Sequence, residues 1–119
     1  MPAKLNYVEL PATDIEAVKT FFSTVFGWQF EDFGPDYTAF SAASAGLDGG
    51  FYRAPLASTT ATGAALIVFY SDELQVTLAQ VQAAGGEVLK PIFDFPGGRR
   101  FHFADPAGNE WAVWGDPIS

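Results

Sequence analysis

The chain predicts an α+β fold built from two βαβββ modules in tandem, with mixed, curved sheets. Three observations carry this expectation. Short alternating segments rich in aromatic and β-branched residues recur between Gly, Pro and Asp turns, as half-buried strands require. Two longer segments instead space their apolar residues at helical intervals, each with a polar start and a glycine stop. The order strand, helix, three strands then occurs twice, with Thr13-Asp14 matching Ser71-Asp72 and Gly27 matching Gly85 at one common offset. Few letters coincide, so the repeat is one of element order.

Lys4–Leu10 alternates, with Leu5, Tyr7 and Glu9 on one face, and Pro11 marks its expected end. Thr13 and Glu16 stand at capping-box spacing, which predicts a helix to about Val25 with Ile15, Val18, Phe22 and Val25 as its apolar stripe. Gly27 supplies the stop. Trp28–Phe33, Tyr37–Ser41 and Gly49–Arg53 read as three short strands. They are separated by Gly34-Pro35-Asp36 and by the small-residue connection 42–48. Ala54–Gly63 is small and polar, hence a linker.

The second module opens with the strand Ala64–Tyr70. Ser71-Asp72 predict the cap of a helix striped by Leu74, Leu78 and Val81, and Gly85-Gly86 end it. Glu87–Phe95 is a strand interrupted by Pro91, and Pro96-Gly97-Gly98 turn the chain. Arg99–Ala104 and Glu110–Trp114 form a hairpin around Asp105-Pro106-Ala107-Gly108-Asn109. Pro106 pre-sets its own φ, and Gly108 and Asn109 tolerate positive φ, so this segment turns sharply. The reading is one domain, 1–119: module one over 4–53, a linker over 54–63 and module two over 64–115.

Fourteen Asp and Glu against six Lys and Arg give a formal charge of −8, a surface that repels phosphate backbones and argues against a nucleic-acid partner. The same charge would attract a cationic ligand. There is no cysteine, no apolar stretch of membrane-spanning length and no secretory leader pattern, so the expectation is a cytoplasmic protein without a membrane partner. Twelve phenylalanines and three tryptophans ask for a large aromatic cluster or a pocket wall.

Strand–TD–helix–GW, then strand–SD–helix–AAGGEV, and finally DPAGNEWAVW resemble the vicinal oxygen chelate superfamily, the glyoxalase, bleomycin resistance and extradiol dioxygenase fold. The resemblance covers roughly residues 4–115. It implies paired βαβββ modules whose sheets curl around a cleft, in a homodimer. It also implies, in metal-dependent members, four ligands: a His or Gln in the first strand, a Glu at the end of the first module, a His in the fifth strand and a Glu in the eighth. A divalent ion needs several such donors converging on it with positions left open for a chelating substrate. Counting seven residues back from Asp14 and from Asp72 places Tyr7 and Ala65 at two of these positions. Counting seven on from Asp105 places Ala112 at a third, and Gly49–Arg53 holds no carboxylate for the fourth. The expectation is therefore no family-type metal site and no cofactor, a divalent metal remaining only through a site that this count misses.

The faces that carry the aligned positions hold Tyr7 and Glu9, Ile67 and Phe69, and Glu110 and Trp114; with Phe51 and with His102, which aligns with no ligand position, they make up the candidate ligand surface. Such a surface is aromatic and apolar with a few carboxylates, which suits binding or sequestering a small cationic or aromatic molecule. A strand tyrosine such as Tyr7 is more often a core residue with its hydroxyl at the rim. His102 is the chain's one histidine, and a histidine between two phenylalanines is more often structural than catalytic. As an enzyme of the lyase or dioxygenase type, the chain would draw on His102 and Glu9 for acid–base chemistry. Arg99-Arg100 could hold an anionic group, solvated turn arginines being the plainer reading. Asp48-Gly49-Gly50 and Pro96-Gly97-Gly98 do not lead from strand to helix, so they read as turns rather than phosphate loops.

Overall fold

Parallel pairing of the first and last strands of a module demands a crossover, and a helix in each half supplies it. The computed structural model describes residues 1–118. β1 (Tyr7–Ala12), β2 (Phe30–Asp32), β3 (Tyr37–Phe40) and β4 (Asp48–Arg53) form the first sheet in the order β1-β4-β3-β2. β5 (Ile67–Tyr70), β6 (Glu87–Phe95), β7 (Gly98–Ala104) and β8 (Glu110–Gly115) form the second in the order β5-β8-β7-β6. β1 on β4 and β5 on β8 are parallel; the remaining pairs are antiparallel. The crossover helices are α1 (Ile15–Phe26) and α3 (Leu74–Ala83); the short α2 (Ala42–Ala45) lies in the small-residue connection, and a 3₁₀ turn spans Thr60–Thr62 in the linker. The expected pair of tandem βαβββ modules is present. No helix among the described residues is long and apolar enough to cross a membrane.

Three local expectations are corrected. Asp14, not Thr13, caps α1, its carboxylate accepting from the Ala17 amide at 3.1 Å. Pro11 lies inside β1 rather than ending it, which an edge strand tolerates because one row of its backbone groups faces no partner. α3 begins at Leu74 after Glu73, and Ser71 Oγ accepts from the Glu73 amide at 3.0 Å in a serine turn that precedes the helix. The strand-to-helix spacing of the second module is thus one residue longer than Asp72 suggests. Gly27, with φ of 70°, stops α1 as expected.

The core is aromatic and is shared. Phe22, fully buried on α1, stacks on Trp28 at 4.6 Å and Phe51 at 5.6 Å on the side of the first sheet, and lies 5.0 Å from Trp111 in the second. Phe21 meets Phe103 at 5.8 Å, and Phe26 stacks on Phe69 at 4.1 Å. One helix therefore fills the space between both sheets. α3 buries only Leu74 and Val81 completely.

The hairpin turn is a polar knot inside this core. Buried Asp105 accepts from the amides of Ala107 (2.8 Å) and Asn109 (3.1 Å), the Asn109 side chain (3.2 Å) and the Trp111 indole (3.0 Å). Burial raises its pKa, and these four donors work in the opposite direction. Asn109, fully buried, donates to the Pro11 carbonyl at 2.8 Å and accepts from the Ser58 amide at 2.8 Å. A single side chain thereby joins β1, the linker and the last hairpin.

Candidate functional site

Alternation gives each sheet one face toward the shared core and one open face. On the first sheet the open face carries Tyr7 and Glu9 of β1 and Tyr37 of β3. The Tyr37 hydroxyl donates to Glu9 at 2.9 Å and also bonds the Tyr7 hydroxyl. Partial burial together with the bonds to Tyr7 and Glu9 pushes its pKa well above the ordinary tyrosine value. Gly50 is required beneath it, because a Cβ there would lie 2.2 Å from the Tyr37 hydroxyl.

On the second sheet the open face is set by strand register. Arg100 of β7 stands opposite Trp114 of β8, and His102 opposite Ala112. Glu110 lies one step further along the same face and takes His102 Nδ1 at 2.8 Å on Oε2. Its Oε1 accepts from both the amide and the hydroxyl of Thr60, each at 2.8 Å, so the linker closes over the pair. Burial alone would raise the Glu110 pKa, but the bonds from His102 and Thr60 prevail and hold it down at about 2. An ionised Glu110 fixes the tautomer: Nδ1 carries the proton, and Nε2 is left buried with no partner among the described residues.

Beside this dyad, the guanidinium of Arg100 lies over the rings of Phe93 (5.2 Å) and Phe95 (5.6 Å) of β6. Val68, Phe95, Gly97, Arg100 and Trp114 line a pocket of about 340 Å³. A second pocket, about 390 Å³, opens at the seam between the sheets, against Val8, Trp28, Phe40, Ile67, Phe69 and Trp111 among others.

The structure sorts the expected site residues. Tyr7, Glu9 and Trp114 lie on open faces; His102 and Glu110 share the side of the second sheet that carries Trp114 but are buried beneath the linker. Phe51 is not on an open face: it is fully buried and stacks on Phe22, because its parity in β4 turns it toward α1. Ile67 and Phe69 also face inward, Phe69 against Phe26, and reach only the seam pocket. The cause is the one-residue error at the α3 cap, since a shift of one exchanges the two faces of a strand. Val68 and Tyr70 take the open positions, and the counted metal-ligand position moves from Ala65 to Leu66, equally without a donor. Glu9 and His102 sit on different sheets, each bonded to its own partner. Of the residues lining the second-sheet pocket, the sequence pointed to Trp114 and, as a possible anion holder, to Arg100, but not to Val68, Phe95 or Gly97. Arg100 and His102 share parity, which is legible, but the bulges that aim Phe93 and Phe95 are not.

Among the described residues, no three His, Cys, Asp or Glu side chains come together in a group able to hold a metal ion. His102 and Glu110 are spent on each other, and Ala112 opposite His102 offers only a methyl.

Two four-stranded mixed sheets, each closed by a parallel strand beside a crossover helix, define the class of paired βαβββ proteins. The chain belongs to the Glyoxalase/Bleomycin resistance protein/Dioxygenase superfamily, whose model matches residues 4–113. It is 31% identical to the anthracycline biosynthesis protein DnrV of Streptomyces peucetius over 129 aligned positions, covering 95% of this chain and 47% of DnrV. It is 29% identical over 115 positions to CFP32 of Mycobacterium bovis, covering 92% of this chain and 44% of that protein. The chain thus spans about half the length of the curated relatives it matches. Among solved structures, a glyoxalase-related enzyme from Fulvimarina pelagi superposes with a TM-score of 0.79 at 20% identity, over 99% of this chain and 94% of that one. The fosfomycin resistance protein FosX from Listeria monocytogenes gives 0.77 at 19%, over 99% and 97%. At these identities the superpositions speak for the fold.

Proposed function

We propose that this chain binds or sequesters a small aromatic molecule on the open face of its second sheet, without the metal set of its superfamily. The observation that carries the reading is the 340 Å³ pocket of Val68, Phe95, Gly97, Arg100 and Trp114, apolar walls with one charged side chain to orient a ligand. Stacking on Trp114 and Phe95 would contribute about 0.5–1.5 kcal/mol per ring pair. The ligand partner is a small molecule, with neither nucleic acid nor membrane, and the working compartment is the cytoplasm. A homodimer accompanies this reading. Among the described residues the outer edges of β1 and β5 have no strand partner, and Tyr7, Val68 and Tyr70 beside them are exposed.

A second reading, an enzyme of the lyase or dioxygenase type, is favoured by one feature: Glu110 orients His102 and leaves Nε2, the nitrogen a general base would use, without a hydrogen-bond partner among the described residues. That atom is buried and would have to be uncovered for a substrate to reach it. A thermal-shift panel of one- and two-ring aromatics, read with metal analysis of the purified protein, separates the two. Binding raises Tm, because a ligand that takes only the folded state stabilises it. A response lost in Trp114→Ala, with no stoichiometric divalent ion, supports sequestration. A stoichiometric ion, or turnover that His102→Ala abolishes, overturns it in favour of the enzyme.

A further inference from the structure

We infer that the ligand of the second-sheet pocket is an aromatic acid, a planar ring system bearing a carboxylate held by Arg100. The inference rests on the binding reading above and names its ligand class.

Arg100 is an anomaly in an acidic chain. With fourteen carboxylates against six Lys and Arg, an arginine is expected to find an acidic partner, and Arg53 and Arg99 do, at Asp36 and Asp94. Arg100 forms no ion pair among the described residues, although it is half-buried. Two buried side-chain nitrogens there lack a hydrogen-bond partner, Arg100 Nε and His102 Nε2. They stand two residues apart on one face of β7, and both residues lie against the ring of Phe93, the imidazole at 5.9 Å. Only the Arg100 nitrogen is a donor, since the His102 proton is on Nδ1. Leaving that charged donor buried and unpaired costs stability, and an acceptor group brought to the guanidinium would relieve it.

The geometry also chooses the shape of that group. A guanidinium lying over Phe93 and Phe95 keeps its donors in the guanidinium plane, and a carboxylate meets such an edge with two parallel bonds. The rest of the pocket is Val68, Phe95, Gly97 and Trp114, which offers ring surface and no second charge. About 340 Å³ suits a compact ligand, at the small end of ligand pockets. The overall charge of −8 favours cations at long range, but the pocket's own charge has the opposite sign, and contact decides selectivity.

The test titrates the full chain, by calorimetry and tryptophan fluorescence, with naphthalene-2-carboxylate, its carboxamide, 2-naphthylmethylammonium and inorganic phosphate. The carboxylate is expected to bind about tenfold or more tighter than the amide and the ammonium. Arg100→Met should erase that difference and leave weak binding of the ring. Arg100→Lys should restore it only in part, because an ammonium lacks the planar fork. Circular dichroism confirms that each variant is folded, and the wild-type probe series decides the matter if one is not. Equal binding of the amide, tighter binding of the ammonium, or phosphate binding as tightly as the carboxylate overturns the aromatic-acid assignment; the first two leave the aromatic binding reading intact. If no ring probe binds, both fall.

Discussion

Replacing Asn109 with aspartate would test whether one buried amide fastens the two modules together. The change keeps the side chain's shape and its acceptor toward the Ser58 amide, but it places an oxygen where Nδ2 donates to the Pro11 carbonyl at 2.8 Å and to Asp105 at 3.2 Å. Two hydrogen bonds are lost at about 1 kcal/mol each, and a carboxylate now faces a carbonyl and another carboxylate, adding about 1–3 kcal/mol. The expected cost at pH 7 is about 3–5 kcal/mol, on the order of 12–20 °C in Tm at roughly 4 °C per kcal/mol for a chain of this size. The sign with pH follows. The introduced carboxyl's folded-state pKa would be raised, as burial already raises that of Asp105, so its ionisation costs stability at high pH. Protonation returns a donor, and the deficit should shrink as pH falls toward about 5. Urea unfolding followed by tryptophan fluorescence and far-UV circular dichroism at both pH values measures it. A loss below about 1 kcal/mol at pH 7, or a deficit that does not change with pH, would refute the reasoning.

Other expectations follow from the same contacts. Glu110 titrates at about 2 in the folded chain, below the ordinary 4.5, so its contribution is complete above pH 4.5 and disappears as pH falls toward 2. That contribution is on the order of 3 kcal/mol, and Glu110→Gln should flatten the acid limb of a stability–pH curve. Gly50→Ala would put a methyl 2.2 Å from the Tyr37 hydroxyl and 2.9 Å from the Thr38 carbonyl oxygen, and should cost about 1–3 kcal/mol in chemical denaturation. Phe22→Ala opens the centre of the aromatic core and should cost about 3–5 kcal/mol, with fluorescence and circular dichroism still reporting one transition.

What the sequence revealed and concealed has local causes. The turns and helix stops were legible because Gly, Pro and Asp act through their own backbones: Gly27 and Gly108 adopt positive φ where turns were expected. The cap of α3 was not legible, because Ser71, Asp72 and Glu73 all suit a helix start, and only the serine turn decides among them. That ambiguity of one residue reversed the faces of β5 and misplaced Ile67 and Phe69. Glu110 was legible by parity as lying on the same side of its strand as Trp114, although the linker buries it. Its union with His102 was not, since it depends on Thr60 arriving from a linker whose sequence reads as filler. Phe93 and Phe95 depend on the register shifts around Pro91, which alternation cannot anticipate.

The shared helix α1 has a consequence for the chain's ancestry and its divisibility. A repeat of two βαβββ halves invites the idea that each was once self-sufficient, yet Phe21, Phe22 and Phe26 lodge as much in the second half as in the first. A polypeptide severed in the linker should therefore yield fragments that each lack part of an interior and regain it only by reassociating. The same arrangement relieves α3 of duty: with the aromatic filling supplied by α1, only Leu74 and Val81 of α3 are buried, and glutamine and threonine stand among its other positions. The two copies of one plan have become complementary parts.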